Sequence, residues 1–144
     1  MRKRLLLIIL ISTAIVFYGC NKNSKEDSPV SLSSVDISSL NNKKILDVIY
    51  DNDLEEGVYQ IITSNNKYIF FKGVKNEYID VSSDLEDKIL VINCNTISSS
   101  EEVNKLYVIR EKNSTSSKDK NLFFDTIMLE VNNKEVPFNS VHTL

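Results

Sequence analysis

Residues 58–73 read VYQIITSNNKYIFFKG, and this stretch decides the fold class. Val58 to Thr63 and Lys67 to Lys72 are rich in β-branched and aromatic residues, which suit a pleated, half-buried surface. Between them, Asn65-Asn66 is a pair that tolerates the positive φ of a tight hairpin turn. The same texture continues outward. Gly73 to Asn76 is a second turn leading into a strand over Glu77 to Ser82, and Ser83 to Asp87 turns again. Lys88 to Cys94 alternates, with Leu90, Ile92 and Cys94 on one face and Ile89 and Val91 on the other. Lys105 to Glu111 is a further strand, and Asn113 to Asn121 a polar loop. Leu122 to Val131 and Lys134 to Phe138 then flank a second turn at Asn132-Asn133.

Helical spacing is hard to find after residue 57. Ile45 to Tyr50 fits either a helix continuing from a cap near Ser39 or an opening strand. Successive strands with short connections usually pair with their neighbours. The expectation is an all-β fold: a meander of six or seven antiparallel strands closing as a small barrel or a two-layer sandwich, with room for one short N-terminal helix.

The first twenty residues have a different character. Arg2, Lys3 and Arg4 precede an apolar run from Leu5 to Tyr18, broken only by Ser12 and Thr13; Gly19 and Cys20 follow, and the chain then turns polar. Fourteen residues make a helix of about 21 Å, short of a ~30 Å hydrocarbon core. A charged start, a short apolar middle and a small residue before a cut is the layout of a secretory signal.

The end of that segment, Phe17-Tyr18-Gly19-Cys20, resembles the bacterial lipoprotein signal processed by signal peptidase II. Gly19 and Cys20 match its last two positions, while Phe17 stands for the aliphatic residue and Tyr18 for the small one. The resemblance covers about a seventh of the chain and concerns processing only. It implies that Cys20 receives a diacylglycerol, is acylated as by palmitate, and becomes the new N-terminus on the extracytoplasmic face of a bacterial cell membrane. Without the resemblance, the same segment is a plain cleaved signal or a short uncleaved anchor.

On this reading residues 1–19 are a signal peptide, 20–42 the lipidated Cys and a flexible Ser/Asn-rich tether, and 43–144 the β-rich domain. Val30, Leu32, Val35, Ile37 and Leu40 are sparse within the tether, although their spacing also suits a short strand or helix docked on the domain. Three of the 17 Lys and Arg residues, and none of the 20 acids, fall in residues 1–19. A chain beginning at Cys20 therefore carries 14 bases against 20 acids, a formal charge of −6, which argues against nucleic acid as a partner.

Little of the chain points to chemistry. One His and two Cys leave no zinc cage, and three scattered Gly leave no phosphate loop. Cys94 is read as a buried structural thiol, and with Cys20 lipidated no intrachain disulfide forms. His142 lacks the elbow of a Ser hydrolase. Asp51, Asp53 and Glu55 are the best available calcium ligands, but the segment misses the EF-hand pattern at its Gly and at its twelfth residue. No metal and no cofactor is expected. Phe70-Phe71 and Phe123-Phe124 are the binding candidates, since adjacent strand residues face opposite ways and one of each pair can lie outside the core; burial in a two-layer fold is the competing reading.

The expected function is a lipid-anchored extracytoplasmic binding or accessory module, tied to the membrane by its lipid and to a protein or cell-envelope partner by contact. The alternative is a small extracytoplasmic hydrolase using carboxylates, with Asp125 on an inward-facing Phe123–Ile127–Leu129 stripe.

Overall fold

The structure, a computed structural model, describes residues 28–111 and 123–144. The signal segment, Cys20 and the polar loop over 113–121 lie outside the described residues. Among those described, nine strands form two sheets. They are β1 (Val30–Val35), β2 (Gly57–Ile62), β3 (Lys67–Gly73), β4 (Asn76–Glu86), β5 (Ile89–Ser98), β6 (Val103–Glu111), β7 (Thr126–Val131), β8 (Lys134–Val136) and β9 (Ser140–Thr143). One sheet has the order β1-β6-β3-β2-β9 and the other β4-β5-β7-β8. The two sheets pack together as a sandwich and do not close into a barrel.

Alternation along each strand divides the side chains of the first sheet between two cores. Val58, Ile69 and Phe71 meet Leu90, Ile92, Cys94, Phe124 and Leu129 in the layer between the sheets. Tyr59, Ile61, Phe70 and Leu106 point the other way, where helix α1 (Lys43–Ile49) covers them with Ile45 and Ile49. The first sheet is thus buried on both faces, which is why its strands carry near-continuous apolar runs instead of strict alternation.

Within the segment 39–50, Lys43–Ile49 is helix and not strand. Its cap is Asn42 and not Ser39: the Asn42 Oδ1 accepts from the N–H groups of Lys44 and Ile45. Ser39 instead closes a 3₁₀ turn (Ile37–Ser39) capped by Asp36.

Three expectations are corrected. First, the flexible tether does not extend to residue 42. Val30–Val35 is an edge strand paired antiparallel with β6, from Val30 opposite Glu111 to Val35 opposite Leu106. Val30 is only 1% exposed within the inter-sheet core, and Val35, Ile37 and Leu40 pack on the helix side. These apolar residues are few, but each finds a slot that the rest of the domain leaves open. The docking alternative is the one observed.

Second, the topology is not an antiparallel meander. β2 pairs in parallel with β9, and β5 with β7. Third, the two Asn-Asn turns differ. Asn132 and Asn133 do adopt positive φ, 53° and 61°. Asn65 and Asn66 do not; there Thr63 takes over, its Oγ1 accepting from the N–H of Asn66 while its own N–H donates to the Asn66 carbonyl. The expected turn over Ser83 to Asp87 shrinks to Asp87-Lys88, both at positive φ, because β4 continues through Glu86 past a bulge at Asp80-Val81.

Candidate functional site

The helix ends at Tyr50, and the loop behind it returns to the sheet at Gly57. This leaves a gap beside the last residues of β3 and the first of β6. The gap is an open cavity of about 310 Å³ lined by Ile49, Tyr50, Asp51, Asn52, Leu54, Lys72, Val74 and Glu102.

Lys72 is the unusual residue. Phe71 faces the inter-sheet core, so alternation turns Lys72 toward the helix side, where it is 8% exposed, the only charged side chain among the described residues to be buried. Its Nζ donates to the backbone carbonyl of Asp51 at 3.3 Å, just past the C-terminus of α1, where a cation also meets the negative end of the helix dipole. Among the described residues it makes no ion pair. Directly opposite it in the ladder is Asn104. The Asn104 Nδ2 donates to Glu102 Oε1 at 2.7 Å, while its Oδ1 is buried with no hydrogen-bond partner. The two acids on the cavity lining each accept one hydrogen bond, Glu102 from Asn104 and Asp51 from the N–H of Asp53 at 2.9 Å, and neither pairs with Lys72.

Sequence reasoning did not find this site. Lys72 looks like the polar end of a strand, and only the helix laid across that end buries it. The one available signal was its place in an otherwise apolar run, directly after Phe70-Phe71.

The expected site residues fare differently. Phe70 and Phe71 are both fully buried, one in each core, so neither offers a binding face. Phe124 is buried under Lys67, whose Nζ sits 4.7 Å from the ring centroid, and Phe123 is partly buried against the same core. Phe70 is covered by the helix and not by the second sheet, so the burial of both faces takes a third layer. Asp51, Asp53 and Glu55 line one loop, but Asp51 folds back on Asp53 and Glu55 offers its backbone carbonyl to the Tyr59 hydroxyl. No three acidic, His or Cys side chains among the described residues converge as a cation site.

Asp125 is not on the inward stripe. It lies exposed at the entry to β7, 3.9 Å from the Lys88 ammonium, because the strand begins one residue later at Thr126. Cys94 is buried, its Sγ 3.7 Å from the Glu130 carbonyl, and burial pushes its pKa up to about 11. That is the opposite of an activated thiol. His142 is held in β9, its Nε2 sharing a 2.8 Å hydrogen bond with Ser140 Oγ and its ring beside Tyr59. Among the described residues no carboxylate orients that ring, which a nucleophile–base pair requires.

Comparison with protein-family models, curated proteins and solved structures found no match for this chain. No helix among the described residues is long and apolar enough to cross a membrane.

Proposed function

We propose that this chain is a lipid-anchored binding module held at the outer face of a bacterial membrane through Cys20. The observation that carries the proposal is the sequence Arg2 to Cys20: a basic start, fourteen apolar-dominated residues, then Gly-Cys. Two acyl chains on Cys20 give stable anchoring where one would be marginal.

The geometry of the sandwich suits outward display. Nine residues lie between Cys20 and Val30, a link of ten Cα steps that reaches at most about 35 Å. Val30 sits beside Glu111 at one end of the first sheet, whereas Asn104 and Lys72 are at the other. Seven strand steps from Asn104 to Glu111 separate those ends by roughly 23 Å. A link from Cys20 thus joins the sheet at the end opposite the Lys72 cavity.

The hydrolase alternative would now rest on Asp51 and Glu102, the two carboxylates on the cavity. Acid–base work by such a pair needs one member shielded from water, and both are exposed. Binding is the better reading.

The test is metabolic labelling with an alkyne-tagged fatty acid. The wild type should incorporate label and fractionate with membranes, and Cys20→Ala should lose the label and accumulate as unprocessed precursor. Normal maturation and membrane retention of Cys20→Ala would refute the anchor.

A further inference from the structure

We propose that the Lys72 cavity binds a small zwitterionic carboxylate of amino-acid size, its carboxylate paired with the Lys72 ammonium. This names a ligand class for the binding-module reading and rests on it. The argument begins with an imbalance. A buried ammonium is stabilised by counter-charge or by a full set of acceptors, and Lys72 has one backbone carbonyl at 3.3 Å and no ion pair among the described residues. Two of its three donors remain unused among the described residues. Next to it in the ladder, Asn104 holds a buried carbonyl oxygen with no donor. An under-used cation on the cavity lining is the anchor of a site that has a negative group to receive.

The surroundings narrow the anion. Asp51 and Glu102 also line the cavity, so a dianion such as phosphate would meet two carboxylates of its own sign. Each of those carboxylates accepts one hydrogen bond from the protein and has further acceptor capacity for a ligand ammonium. A molecule negative at one end and positive at the other satisfies both halves. The volume of about 310 Å³ admits an amino acid and excludes a folded chain. Tyr50, 64% exposed at the rim, supplies a broad apolar ring to a ligand side chain.

The experiment uses the full-length lipidated chain in detergent micelles, titrated by calorimetry and followed by thermal melting. The probes are the individual protein amino acids, with acetate, methylammonium and inorganic phosphate as fragments. At least one amino acid should bind and raise the melting temperature, and acetate and methylammonium should each bind at least about tenfold more weakly. Lys72→Met should weaken that binding by about tenfold or more, and Glu102→Gln and Tyr50→Ala, both at exposed positions, should weaken it several-fold.

Four results would overturn the proposal. They are no response to any amino acid, phosphate or acetate binding as tightly as the best amino acid, affinity within twofold of wild type in folded Lys72→Met, or unchanged affinity in both Glu102→Gln and Tyr50→Ala. The last keeps the test decisive if Lys72→Met does not fold. Fatty-acid labelling of Cys20 is read separately, so loss of the anchor reading leaves the titration standing, and the reverse.

Discussion

Val30 is the sharpest probe of where the folded domain starts. It is the first residue of β1, 1% exposed, and it packs in the inter-sheet core with Ile109, Phe71 and Phe124 as members of the same cluster. Val30→Ala removes two methyl groups. At about 0.8 kcal/mol each the transfer loss is roughly 1.6 kcal/mol, and an incompletely collapsed cavity raises the cost to about 2–2.5 kcal/mol. For a domain of this size that is a fall of about 8 °C in melting temperature. Ser31, next in the strand and exposed, is the matched control, and Ser31→Ala should change stability by less than about 0.5 kcal/mol. Both variants are made in the full chain and compared by urea unfolding, where the midpoint should move for Val30→Ala with the slope unchanged. If Val30→Ala is as silent as Ser31→Ala, β1 does not dock, and the boundary belongs near residue 42 after all.

Two further outcomes follow from single groups. Cys94, with its pKa raised to about 11 by burial, should resist iodoacetamide at neutral pH in the folded protein and become alkylated only in denaturant, as read by peptide mapping; rapid labelling of native protein would contradict its burial. Glu56 accepts from the Asn76 side chain and from the Lys75 N–H, and these bonds hold its pKa below the ordinary 4.5. A depressed folded-state pKa stabilises fully above the unfolded value and is lost as pH falls through the lower folded value. Acid should therefore destabilise the domain below about pH 4.5, and Glu56→Gln should shallow that slope while leaving the midpoint's alkaline trend unchanged.

Several local features were legible because local chemistry sets them. Asn132-Asn133 turns with positive φ because Asn tolerates that region, and Leu90, Ile92 and Cys94 share a buried face because strand side chains alternate. The same alternation placed Phe70 and Phe71 on opposite faces. It did not say that both faces would be covered. That depended on α1 lying across one side and the second sheet across the other, a fact about distant residues. Asn65-Asn66 failed as a positive-φ turn because the Thr63 side chain supplied a competing hydrogen-bonded solution.

By itself, the sequence determined the β class, the strands' approximate places, the acidic balance and the distinct N-terminal segment ending at Cys20. Those depend on composition and on periods of a few residues. Only the tertiary structure decided that β1 joins β6 across more than seventy residues, that β9 pairs in parallel with β2 and β7 with β5, and that Asp125 is exposed. It also decided that Lys72, paired with Asn104 in the ladder, comes to the end of a helix. Pairing between distant strands is chosen by which edge and which core slot remain open once the others are filled. No short window of the chain carries that information, and the cavity is built from what that choice leaves unfilled.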